Sequence, residues 1–163
     1  MAVTTNVLVG VAEIVVTSIV GGPLTSPKTV GYTADGAILT IRSSFADIKV
    51  EENIGTIKRK LIDQEIQVTL NMAEGDLDSL VMAIPGSIRV LDVITLGGSP
   101  LQEYSVLLTV PKPGGGNRLI TLDLVNPTGE VSIPFKKGEV SIVPITFACI
   151  VADNSKFGTI ADV

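Results

Sequence analysis

A mainly β domain with one helix is the fold class the sequence predicts, and three observations predict it. Val (21), Ile (18) and Thr (15) supply a third of the 163 residues, and β-branched side chains suit the pleated surface of a strand better than the crowded surface of a helix. Apolar runs of strand length are punctuated by 16 Gly and 9 Pro, the residues that interrupt regular structure. A helical period occurs in one segment only. With 45% hydrophobic and 18% charged residues, the chain has the length and apolar content for one continuous core, not for two full-sized domains, and is unlike a disordered sequence. So sparsely charged a surface invites partners.

Strand-like runs fall at 7–19, 37–41, 47–52, 57–62, 65–72, 88–96, 104–110, 119–125 and 139–151. Residues 20–36 (VGGPLTSPKTVGYTADG) lack alternation and read as a long loop, and 111–117 (PKPGGGN) as a flexible hairpin tip. Such loops commonly serve binding or assembly. The final SKFGTIADV returns to small and polar residues, and contact with another chain is expected to order it.

The helix lies between Met72 and Pro85, where Leu77, Leu80, Val81 and Ile84 share one face of a 3.6-residue period. Glu74, Asp76 and Asp78 bring negative charge to the first turn, where the helix dipole favours it, and Pro85-Gly86 provides a stop. The apolar stripe must cover a sheet.

Alternation is cleanest from 47 to 72. Ile48 and Val50 oppose Asp47, Lys49 and Glu51; Ile66, Val68, Leu70 and Met72 oppose Glu65, Gln67, Thr69 and Asn71, so one dry and one wet face are expected. Asn53, Ile54 and Gly55 lie between two strand runs and read as a turn, with Gly55 free to take positive φ. The acidic arm (Glu51, Glu52) is expected to pair across the hairpin with Lys58, Arg59 and Lys60. This charged hairpin is either a solvated ladder or a projection that meets a neighbouring subunit.

Several function classes are excluded by composition. Histidine is absent and the formal net charge is −5, which removes His-based triads, His-ligated zinc and phosphate-neutralising nucleic-acid binding. Six aromatics (Phe 4, Tyr 2, no Trp) offer bases little to stack on. Cys149 sits in the apolar run ITFACIVA and reads as a buried, inert thiol. The cluster Lys58-Arg59-Lys60 splits between the two faces of a strand, and Asp63 and Glu65 offset it. Gly114-Gly115-Gly116 lacks the Gly-Lys-Ser/Thr of a phosphate loop. Glu51 with Glu52 and Asp76 with Asp78 read as hairpin solvation and helix-dipole charge rather than acid-base pairs or calcium ligands. No catalytic residue, metal or cofactor is assigned. The longest uncharged stretches, 14–27 and 140–152, fall short of a spanning helix, and the first basic residue is Lys28. A soluble, cytosolic chain without membrane insertion is expected.

The order of these features resembles the tail tube (major tail) proteins of long-tailed bacteriophages: a long first strand, a loop, a charged hairpin, QEIQVTLNMAEGDLDSLVMAIPG, further strands and the ending PITFACIVADNSKFGTIADV. The resemblance spans nearly the whole chain and rests on a strand running into an acidic turn and helix at 65–84, and on a late PxxFxxxxD strand from Pro144 to Asp153. It implies a β-sandwich or barrel-like subunit with one flanking helix, polymerised as stacked hexameric rings whose inner sheets form the lumen of a tube. It implies as partners copies of itself, a tail-tip or baseplate initiator, tape-measure and terminator proteins, and double-stranded DNA in transit without specific binding. The implied location is the virion tail, assembled in the host cytoplasm.

Under that resemblance Asp47, Lys49, Glu51, Asn53, Ile54, Gly55, Lys58 and Lys60 form an inter-subunit hairpin, the loop at 20–36 bridges subunits or rings, and Glu65, Gln67, Thr69 and Asn71 are candidates for the lumen face. The inner tube of a contractile tail or injection machine is the alternative in the same class. A monomeric carbohydrate-binding β-sandwich is a third reading, disfavoured by the absence of Trp and the presence of only Tyr32 and Tyr104.

Overall fold

A computed structural model describes residues 13–19, 24, 27–30, 33–52, 54–73, 76–112, 114–139, 142–152 and 155–163. Ten strands and one helix follow in order: β1 (Glu13–Ser18), β2 (Lys28–Val30), β3 (Thr33–Lys49), β4 (Thr56–Met72), α1 (Leu77–Ala83), β5 (Ile88–Val90), β6 (Val93–Thr95), β7 (Tyr104–Pro111), β8 (Asn117–Thr128), β9 (Val143–Cys149) and β10 (Gly158–Asp162). The chain is mainly β with a flanking helix, as its composition predicts.

One antiparallel sheet takes eight strands in the order β2-β1-β7-β8-β9-β4-β3, with β10 also on β8, and β5-β6 form a separate small hairpin. The sheet's two terminal strands, β2 and β3, are separated by two residues of chain. Three Cα steps of about 3.8 Å keep Val30 within about 11 Å of Thr33. The sheet therefore bends enough to bring the Val30 end of β2 near the Thr33 end of β3.

Alternation decides what the bent sheet encloses. Ile14 and Val16 of β1, Val68, Leu70 and Met72 of β4, Tyr104, Val106 and Leu108 of β7, and Val143, Ile145 and Phe147 of β9 are all buried, one face of each strand. Tyr104 and Phe147 meet edge to face, with ring centroids 5.9 Å apart, a geometry favoured by the ring quadrupoles. α1 packs on β9 and β8 and adds Val81, Met82 and Ala83 to this core. Asp76 caps it, accepting from the Ser79 amide at 3.1 Å, and the chain turns away at Pro85 and Gly86. Only Val81 of the expected stripe is fully buried; Leu77, Leu80 and Ile84 are half-buried.

Several boundaries differ from expectation. Of the expected loop at 20–36, Lys28–Val30 is strand, paired with β1 and burying Val30, and β3 already begins at Thr33; most of the rest lies outside the described residues, as do 7–12 of the first run. The runs 37–41 and 47–52 merge into β3 (ending at Lys49), and 57–62 and 65–72 into β4, because the Ser43-Ser44 and Asp63-Gln64 breaks in apolar pattern are absorbed by a bulge at Ser44/Phe45. The run 88–96 is two short strands around a turn at Leu91-Asp92. The carboxyl end needs no second chain for order. β10 pairs with β8 from Gly158↔Leu122 to Asp162↔Arg118, and Arg118 grips Asp162 through Nε at 2.7 Å and Nη2 at 3.0 Å.

Candidate assembly surface

The β3–β4 ribbon runs well past the strand it pairs with in the body. β9 pairs with β4 only over Gln67–Met72. The eleven residues from Thr56 to Ile66, at about 3.3 Å each, run roughly 36 Å beyond that ladder. Every described residue from 41 to 63 is exposed except Ala46, which is half-buried. Neither Gly nor Pro occurs between Gly36 and Gly55, nor between Gly55 and Gly75, so nothing in the backbone chemistry stops either strand.

The arm's register departs from the expected charge pairing. Asp47 lies opposite Arg59, Ile48 opposite Lys58 and Ala46 opposite Lys60. Arg59 binds Asp47 through Nε at 2.6 Å and Nη2 at 3.2 Å, and its guanidinium lies 5.9 Å from the Phe45 ring centroid. The hydrogen bond from Arg59 is the main reason that the Asp47 carboxyl is held below its ordinary range, against slight desolvation. Glu51 and Glu52 fall in the turn, exposed, rather than opposite the basic strand. They pair with neither Lys58, Arg59 nor Lys60 among the described residues, because Lys49 already pairs with Thr56 and ends the ladder.

Gly55 takes φ +114, as the turn requires; Asn53 lies outside the described residues. Ile54 at the tip is fully exposed, and Phe45, Ile48, Ile57, Leu61 and Ile62 are exposed too. The expected dry face is therefore uncovered at Ile48 and Val50, since no second layer lies beneath this part of the ribbon among the described residues. A lone two-stranded ribbon is marginal in water, and this one bares apolar side chains along its length.

At the arm's root the alternation holds. Val68, Leu70 and Met72 are buried and Ile66 packs on the core, while Glu65 is exposed and Gln67, Thr69 and Asn71 are half-buried on the other face. Across the ladders this outer face continues through Arg42, opposite Glu65, and Thr40, opposite Gln67, on β3, and through Thr146, opposite Thr69, on β9. It is a face of hydroxyls and amides that also carries the exposed Ile38, opposite Thr69, and Ala148 and Pro144 on β9, with one described cation facing one anion. Hairpin and lumen candidates thus occupy one continuous ribbon, the former distal and the latter at its base.

Between that base and β10 runs a groove of about 370 Å³, lined by Leu39, Ile41 and Ile66 on one side and by Ile120, Phe157 and Ile160 on the other. A Cβ on Gly158 would stand 2.0 Å from the Thr121 carbonyl oxygen, so glycine is needed for β10 to lie this close to β8.

Cys149 is buried, and burial pushes its thiol up to about 11, away from reactivity at neutral pH. Among the described residues no group of His, Cys, Asp and Glu is placed to hold a metal ion, and no helix is long and apolar enough to cross a membrane. Sequence reasoning missed two features: the continuity of the arm, for which the glycine- and proline-free runs flanking Gly55 were the available signal, and the apolar outer face of β5-β6. No protein-family model and no curated protein matches the chain.

Proposed function

We propose that the chain is a self-assembling structural subunit, polymerised as stacked rings into a phage-type tail tube through which DNA passes, and that it is not an enzyme. The observation that carries this reading is the exposed arm: a ribbon whose exposed part on β4, Thr56 to Asp63, is about 26 Å long, with Phe45, Ile48, Ile54, Leu61 and Ile62 in water. Those side chains gain their cover from another copy of the chain. Identical heterologous contacts close into rings when the rotation permits, and extend as filaments otherwise. The bent sheet supplies a rigid body on which to mount the arm, and the order of sequence elements resembles that of tail tube subunits.

Glu65, Gln67, Thr69 and Asn71, with Thr40 and Thr146, form the lumen wall in this reading. Duplex DNA carries about one negative charge per 1.7 Å of axis and is gripped by cations that replace its counterions. A wall of hydroxyls, amides and the apolar Ile38, in which Arg42 faces Glu65, offers few such cations. Six subunits at −5 give a ring of formal charge −30, which further disfavours adhesion within a Debye length of about 8 Å. DNA then slides without being held.

Negative-stain microscopy of the concentrated protein, alone and with its tail-tip initiator, tests the reading. Hollow filaments of uniform bore support it, and particles of single-subunit size under both conditions refute it. Within assembled tails, Glu65→Lys leaves tube length unchanged and slows DNA ejection; unchanged ejection kinetics remove Glu65 from the lumen.

A further inference from the structure

The arm needs a receiving surface on the next copy, and one lies at the opposite pole of the subunit. β4 runs from the arm tip to Met72, the chain enters α1 at Leu77, and β5-β6 follow. The side chain of Gln102, bonded to the amide of Gly86 at 3.0 Å and to the Ser87 carbonyl, fixes residues 101–103 beside the root of this hairpin. The small hairpin and the arm tip therefore stand at the two ends of β4 and cannot meet within one subunit.

The outer face of β5-β6 is apolar and, among the described residues, unpartnered. In the register Ile88↔Thr95, Arg89↔Ile94, Val90↔Val93, Arg89 and Ile94 are half-buried, and Ile94 packs on the core. Ile88, Val90 and Val93 face solvent, as do Leu91 and Leu96. Leu91 holds a φ of +53, a left-handed conformation that costs a branched side chain energy and leaves it fully in water. Of the nearby charges, Arg89 is bound to Asp78, whereas Asp92 and Glu103 are exposed and make no ion pair among the described residues. The patch is apolar with uncompensated negative charge.

One face of the arm is its complement. Lys58 and Lys60 lie on the same side of β4, with Ile48 and Ala46 opposite them on β3. Neither lysine makes an ion pair among the described residues, because Arg59, on the other face, takes Asp47. This face sets one exposed apolar side chain, Ile48, beside two uncompensated positive charges.

We infer that the Ile48/Lys58/Lys60 face of the arm docks on the Val90/Val93 face of β5-β6 in a second copy, with Lys58 and Lys60 set against Asp92 and Glu103. The inference rests on the self-assembly reading and specifies its axial joint. Ribbon stacks on ribbon, Ile48 packs against Val90 and Val93, and opposite charges fix polarity, so that every arm points the same way along the assembly. Because the two surfaces lie at opposite poles, the contact propagates head to tail instead of closing a dimer.

Three variants test it by sedimentation and negative stain across a concentration series: Asp92→Lys/Glu103→Lys, Lys58→Glu/Lys60→Glu, and all four changes in one chain. Each charge reversal alone is expected to raise the concentration needed for assembly at least tenfold, and the fourfold variant to return it to within about threefold of wild type. An unchanged assembly concentration in the Asp92/Glu103 variant, or no recovery in the fourfold variant, overturns this joint while leaving tube formation intact and points to another protein or an apolar ligand on β5-β6. Failure of the wild type to exceed the monomer even with its initiator contradicts the self-assembly reading, and the joint with it.

Discussion

Ile54→Ala separates what the arm does for the subunit from what it does between subunits. Ile54 is fully exposed at the tip, so its truncation removes nothing from the core, and surface changes of this kind stay within about 0.5 kcal/mol. At this chain length, 1 kcal/mol corresponds to roughly 2–4 °C, so the subunit's melting temperature should move by less than about 2 °C. Assembly is different. The substitution deletes three carbons at about 0.8 kcal/mol each, or about 2.4 kcal/mol if the neighbour covers them fully. At about 1.4 kcal/mol per decade, the concentration needed for assembly rises about 50-fold with full cover and about sevenfold with half. The assay is the pelletable fraction across a concentration series, with thermal unfolding of the unassembled protein measured alongside. An assembly concentration within twofold of wild type refutes the reasoning, as does a fall in melting temperature beyond about 4 °C, which would place Ile54 against its own subunit.

Three further outcomes follow from the body of the subunit. The Tyr104 hydroxyl is buried with no hydrogen-bond partner among the described residues, and burial pushes its pKa well up; Tyr104→Phe removes this polar group while keeping the ring against Phe147, and should stabilise the fold by about 1 kcal/mol in denaturant unfolding. Gly158→Ala places a methyl group against the Thr121 carbonyl and should detach β10, read as lost amide protection at 158–162 with the core strands unchanged. Arg118 holds the Asp162 carboxyl down to about 2 from 3.8, with a smaller contribution from Lys112. Because the folded value lies below the unfolded one, this anchor is complete above about pH 4 and is lost as the pH falls through about 2. Protection of β10, corrected for intrinsic exchange, should fall in that window and stay flat from pH 5 to 8; Arg118→Ala removes the pH dependence.

Much of the fold was legible because burial leaves a period in the sequence. The alternation of Ile66, Val68, Leu70 and Met72 with Glu65, Gln67, Thr69 and Asn71 appears in the fold as a buried face and an outer face, and Asp76, read from the sequence only as first-turn charge, sits at the N-cap of the helix. Where neither face is buried, period ceases to inform. Ile48 and Val50 alternate with Asp47, Lys49 and Glu51 as if over a core, yet no layer lies beneath them among the described residues. Ion pairing along the arm was misread because it depends on register, and bulges at Ser44/Phe45 and Ile48/Lys49 shift Arg59 onto Asp47. β10 escaped notice for another reason: GTIAD is too short and mixed to declare itself, and is held by a glycine fit and an Arg118–Asp162 pair 44 residues apart. The bend that brings β2 near β3 follows from the two-residue link between them, visible only once both strands are identified.

Cryo-electron microscopy of the assembled protein tests the central claim most directly. It should show a hollow tube in which residues 41–63 of each subunit lie against a neighbouring copy, with Ile54 and Leu61 buried in that contact. Arms lying free in solvent or folded back on their own subunit, or a particle without a bore, would contradict it.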